Sequence, residues 1–233
     1  MKKIITISLI LTASLTTWSC KDILEAPTKS SLDESVIFST PSLAEGVIPG
    51  IIQSFGETNS YRGRYLVYYG TNTDVEVYSS LKAINDDKSR LGNYNTNVEN
   101  DQMNTDNNAW AKFYEGIERA NMAIRGLRNY GNVENNPAMA QVLGEVLVLR
   151  AVLYNDLIKG WGDVPARFEP ITTETTYLPR ADRDVIYKQL LADLDEAAGL
   201  LPWPNESNAT RSVERESKAF AKGLRARLAL AAG

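Results

Sequence analysis

The sequence contains no histidine. That absence removes both the commonest general base at neutral pH and the commonest metal ligand. Cysteine is nearly missing too: Cys20 is the only one, so the chain can form no internal disulfide, thiolate metal cluster or Cys/His dyad. There is no basic cluster, and 25 Lys and Arg against 29 Asp and Glu give a net charge of −4. A mildly acidic chain is a poor nucleic-acid binder, because phosphate neutralisation supplies most of that affinity. Phosphate loops, nucleophile elbows and metal-ligand spacings are also lacking. The acidic residues offer many carboxylate pairs for glycoside hydrolysis, yet none stands out and most fall on predicted solvated helix faces. The expectation is a binding protein with no catalytic residue, no metal and no cofactor.

What remains is a chain of 233 residues with an apolar fraction of 43%, enough for one domain or a small pair. Lys2 and Lys3 precede an apolar run from Ile4 to about Trp18. That run is too short to span a bilayer and has the length of a signal-peptide core. Ser19 and Cys20 close it, and a small residue directly before a cysteine resembles a bacterial lipoprotein cleavage site. Residues 1–19 are therefore expected to be a signal peptide, with Cys20 as the lipid attachment point. Residues 20–40 read as a tether, with Ile23, Leu24 and Phe38 docking on a folded domain that covers 41–233.

The longest helical signal lies between Leu143 and Trp161. Leu143, Val146, Leu147, Arg150, Leu153, Tyr154, Leu157 and Trp161 recur at steps of three and four, which lays one stripe along a helix. Gly144 and Ala151 allow close approach of a neighbour; Gly160 and Gly162 are expected to break the helix, and Pro165 prevents its resumption. Arg150 is the exception on the apolar face and requires a carboxylate or carbonyl partner. A structural ion pair is the favoured reading there. Trp110, Phe113, Tyr114, Ile117, Asn121, Ile124 and Leu127 mark the preceding helix, ending at Gly131, with Asn121 as a buried amide. The short break at 132–137 makes these two helices an antiparallel hairpin.

Other elements are shorter. Thr40-Pro41 starts a helix with the stripe Leu43, Val47, Ile51 and Phe55, and a kink is expected at Pro49-Gly50. Asp182 caps a helix with Val185, Ile186, Leu190, Leu194, Ala197 and Leu201 on one face, closed by Pro202. Ser217 caps a last helix whose face reads Phe220, Leu224, Arg227, Leu228 and Ala231. These two form a second hairpin whose large and small residues alternate as in tetratricopeptide-type pairs. The fold class is thus all-α, tetratricopeptide-like helix pairs with a long irregular insertion. Two pairs leave an outer face uncovered, so such an array wants further repeats or a cap.

The insertion, residues 56–108, is crowded first with tyrosines and then with asparagines. Connections this long are usually functional or disordered. Aromatic rings beside amides and carboxylates suit sugars, the ring covering C–H faces and the polar groups taking hydroxyls. Tyr65, Tyr69, Asn72, Asp74, Tyr78 and Tyr94 are the candidate ligand contacts. The same rings could instead pack on the helices or meet a protein partner.

Taken together, several segments resemble the N-terminal part of the SusD/RagB family: Cys20-Lys-Asp-Ile-Leu, Trp110-x-x-Phe-Tyr-x-x-Ile-x-x-Ala-Asn121, and Gly144-Glu-x-x-x-Leu-Arg-Ala151-x-x-Tyr-x-x-Leu157. Trp161-Gly-Asp-Val-Pro165, Asp193-Leu-x-x-Ala-x-x-Leu-Leu-Pro202 and the helix from Ser217 to Leu230 follow in the same order. The resemblance implies a nutrient-binding lipoprotein on the surface of the outer membrane. Such a protein acts as a non-catalytic lid over a SusC-like TonB-dependent transporter and delivers glycans, or in some members peptides. Family members normally continue well past the helix ending at Leu230, so the chain reads as a fragment or a truncated relative. A tetratricopeptide-like scaffold that binds protein is the alternative reading.

Overall fold

A computed structural model of the chain describes residues 33–56, 73–75, 90, 97, 99–100, 108–206 and 214–233. Three short helices come first: α1 (Glu34–Ser39), α2 (Pro41–Ala44) and α3 (Val47–Gly56). Two long ones follow, α4 (Ala109–Tyr130) and α5 (Pro137–Trp161). A two-residue ladder, β1 (Val164–Pro165) with antiparallel β2 (Arg180–Ala181), precedes α6 (Arg183–Leu200) and α7 (Lys218–Ala232).

Local chemistry sets the helix ends. Asn108, Asn136, Asp182 and Ser217 each accept a hydrogen bond from a first-turn amide of the helix that follows. Each thereby satisfies one of the amides that no helical carbonyl can reach. Pro137 stands in the first turn of α5, where its missing N–H costs nothing. At the other end α5 runs through Gly160 and stops at Gly162, whose φ of 72° is one that L side chains resist. Only the second of the two expected glycine breaks is used.

The helices pack as a serial stack around α5. It is flanked by α4 on one side and α6 on the other; α3 lies on α4, and α7 on α6. Nearly every residue of α5 from Met139 to Ile158 is buried. By length and composition α5 could cross a bilayer, but its burial marks it as a core helix. Its expected stripe is the core itself: Leu143, Val146, Leu147, Leu153, Tyr154 and Leu157 are buried, and Trp161 packs against them. Small residues set the close contacts. A Cβ on Gly144 would lie 2.8 Å from the Leu201 side chain, and one on Gly116 would lie 2.8 Å from Leu153. Gly126 leaves the space that the Phe38 ring fills.

Four sequence expectations change in detail. The break in the first helical segment falls at Glu45–Gly46, not at Pro49-Gly50. Proline is tolerated only in a helix's first turn, so Pro49 draws the start of α3 to Val47 and the interruption moves upstream. The stripe is rephased with it: Ala44, Ile48 and Ile51 are buried, while Leu43 is exposed. On α6, Val185 is exposed and the rest of the expected face is buried. On α7 the inward face is Ala221, Leu224, Leu228 and Ala232, leaving Phe220, Arg227 and Ala231 outside. On the exposed side, Arg225 pairs with Asp195 of α6, its Nε at 2.5 Å and its Nη2 at 2.9 Å. Residues 34–39, assigned to the tether by sequence, form α1, and Phe38 docks as expected. Ile23 and Leu24 lie outside the described residues.

Candidate functional site

Both ends of the insertion are built into the same end of the helical stack. The chain leaves α3 after Gly56 and re-enters α4 at its cap Asn108. Ser54 of α3 meets Gly116 of α4, and the Arg119 guanidinium donates to the Gly50 carbonyl at 2.5 Å. The C-terminus of α5 arrives at this end too, because Trp161 stacks edge-on against Trp110 with ring centroids 5.5 Å apart.

An aromatic layer lies beneath. Phe113 meets Trp161 edge-on at 6.3 Å, Trp110 leans on Tyr114 at 5.1 Å, and Tyr114 stands edge-on to Tyr154 at 6.4 Å. Tyr154 then lies on Phe168, 5.0 Å away and tilted by 31°. Such offset and edge-on pairs add attraction beyond the area they bury. The phenols are already engaged. Tyr114 donates to the Pro165 carbonyl at 2.8 Å, and Tyr154 shares two 2.6 Å bonds with the Arg167 backbone. Burial pushes both phenols well above the ordinary tyrosine range, so they stay neutral donors. These rings position the end of the stack; their hydroxyls are committed to the protein.

Arg150 is held as the sequence requires, within a network that joins three helices and a loop. Its Nη2 and Nε donate to Asp193 Oδ2 of α6 at 2.7 and 3.1 Å. Its Nη1 donates to Asn121 Oδ1 of α4 at 2.8 Å and to the Phe168 carbonyl at 3.1 Å. Asn121 Nδ2 donates in turn to the carbonyls of Arg167 and Glu169, at 3.0 and 3.2 Å. Gln189 occupies the other Asp193 oxygen at 2.8 Å, and the guanidinium lies 5.2 Å from the Phe168 ring centre. Arg150, Asn121 and Asp193 are all nearly inaccessible to water. The network is a structural anchor, as sequence reasoning favoured for both Arg150 and Asn121. Asp193 was not identified as the partner, although it lies on the buried face of α6 between Leu190 and Leu194.

The loop so anchored, residues 166–179, joins the two strands of the β1–β2 ladder, which pairs Val164 with Ala181 and Pro165 with Arg180. Arg167 donates to the Thr175 and Thr176 carbonyls, and the Glu118 carboxylate accepts from the Ile171 amide at 3.0 Å. Tyr177, three residues before β2, is 92% exposed.

Of the six candidate ligand contacts, the described residues include only Asp74. It sits in an exposed bend with Thr73 and Val75. Tyr65, Tyr69, Asn72, Tyr78 and Tyr94 lie outside the described residues, as does Cys20. Among the described residues no three metal-ligating side chains gather.

Comparison with known proteins gives this geometry its context. A SusD-like family described as "Starch-binding associating with outer membrane" matches residues 44–230. The SusD-like protein P25 of Formosa agariphila is 26% identical over 194 residues, covering 77% of this chain and 34% of its own length. A SusD-like carbohydrate-binding protein of Bacteroides fragilis superposes with a TM-score of 0.68 at 19% identity, covering 84% of this chain and 38% of that one. A laminarin-binding SusD-like protein gives 0.63 at 19% identity, with 82% and 39% covered. The chain spans about a third of the length of the curated relatives it matches. With a family match across most of its residues and the same helical architecture, the chain belongs to the SusD-like family.

Proposed function

We propose that this chain contributes the helical part of a cell-surface lipoprotein that captures oligosaccharides and passes them, uncleaved, to a SusC-like TonB-dependent transporter. Cys20 carries the lipid anchor, and the face formed by Tyr65, Tyr69, Asn72, Asp74, Tyr78 and Tyr94 takes the sugar. The observation that carries this reading is the insertion's double attachment. Both its ends are fixed on one aromatic-braced end of the stack, where α3 ends and α4 begins. Family membership and the laminarin binding of a structural relative support a glycan as the ligand.

Two measurements test it. Titration with laminarin and starch oligosaccharides should change tryptophan fluorescence saturably, and alanine at Tyr65, Tyr69, Tyr78 and Tyr94 together should abolish the change without altering the melting curve. Unchanged affinity in that variant would remove the assignment. Cys20→Ala should move the protein from the membrane fraction to the soluble one; if it stays membrane-bound, the anchor is elsewhere.

A further inference from the structure

A second buried ionic cluster lies away from the Arg150 network, where the α6–α7 connection crosses α5. Glu145, in mid-helix, is completely buried. Its Oε2 accepts from Arg215 Nε at 2.6 Å and also from Arg215 Nη2, while Gln141 donates to its Oε1 at 3.3 Å. Arg215 belongs to the short segment 214–217 that leads into α7. Ser217 of that segment caps α7 by accepting from the Phe220 amide, and the Lys218 amide donates to the Pro202 carbonyl at the end of α6.

Glu216 lies between the arginine and the cap. Its Oε2 is buried and has no hydrogen-bond partner among the described residues. A neutral carboxyl tolerates that position; a carboxylate there would be buried with no donor to its Oε2 and would face the charge of Glu145. We propose that residues 214–217 are a proton-operated strap. With Glu216 neutral, the strap seats Arg215 on Glu145 and fixes the start of α7; when Glu216 ionises, the strap lifts and the start of α7 loosens from α5.

Among the described residues, the charges acting on Glu216 come from α5, as Glu145, and from its own segment, as Arg215. Burial is the main influence and, with Glu145, lifts the carboxyl from the ordinary range to about 7. The sign follows from linkage. A carboxyl whose folded-state pKa is raised stabilises the closed strap fully below its unfolded value, and that contribution is lost as pH rises toward 7. Opening should therefore become about tenfold easier per pH unit from near 5 to near 7, then level off.

Amide exchange at residues 217–221, corrected for intrinsic exchange, reads this directly on the whole chain. Wild type should lose protection over that interval and reach a plateau above it. Glu216→Gln, which mimics the neutral acid, should keep its protection flat across the same range. A carboxyl-carbon NMR titration of wild type provides an independent readout and should place the Glu216 midpoint near 7. An unperturbed midpoint, or a Glu216→Gln profile that falls as the wild type does, would overturn the proposal.

Discussion

Removing the Arg150 guanidinium should be among the most damaging single changes to this fold. In Arg150→Met the aliphatic stem is retained, but among the described residues Asp193 keeps only Gln189 as a partner while 1% exposed to solvent. Breaking a buried ion pair from one side costs about 3–5 kcal/mol, because the remaining charge is left without compensation. The Asn121 oxygen and Phe168 carbonyl lose their donor as well, which places the effect in the upper part of that range. For a domain of this size, each kcal/mol lowers Tm by about 2–4 °C, so a loss of about 4–5 kcal/mol corresponds to a fall of roughly 8–20 °C. Urea unfolding followed by circular dichroism would measure the loss. The double variant Arg150→Met/Asp193→Leu should recover much of it, since an apolar pair can replace a buried ionic one at little cost. A loss below about 1 kcal/mol in the single variant would refute the reasoning. So would a double variant no more stable than the single.

Three further outcomes follow from the packing and the titrating groups. Gly126→Ala should destabilise by about 1–3 kcal/mol through overpacking against Phe38, and Phe38→Ala should absorb most of that cost in the double variant; thermal melts decide it. Burial lifts the Asp156 carboxyl to about 6 against the opposing charges of Lys159 and Arg227, so its favourable contribution is lost as pH rises through that value. Asp156→Asn should then gain stability on the order of 1–3 kcal/mol at pH 8 relative to wild type and gain less at pH 5, as denaturant midpoints at the two pH values would show. Ser217→Ala removes the cap of α7 and should cost about 1 kcal/mol, with amide protection lost first at the start of that helix.

The parts of the fold legible in the sequence are those where one periodicity dominates. The α5 stripe, the α4 stripe with Asn121 and the buried charge on Arg150 were readable because helical geometry leaves a single way to bury them. The phase of α7 was not readable. Ala219, Ala221, Ala226 and Ala231 give it small residues on several faces, so the packing of Ala221, Leu224 and Leu228 against the core decides the rotation. The Glu145–Arg215 pair joins residues 70 apart with no pattern between them, and only tertiary structure reveals it. The break at Glu45–Gly46 follows from the demand of a proline three residues further on, which a stripe of apolar residues conceals. Ligand contacts are hardest to read, because a binding face needs groups placed together in space and imposes no periodicity on the sequence.

Hydrogen exchange with and without a saturating laminarin or starch oligosaccharide tests the functional account most directly. Capture by the Tyr/Asn-rich insertion predicts protection gained within residues 57–107 and at their supports, 108–114 and 161–165. Protection gained instead along α6 and α7, or none at any site, would contradict it and leave the helix pairs as a protein-binding scaffold.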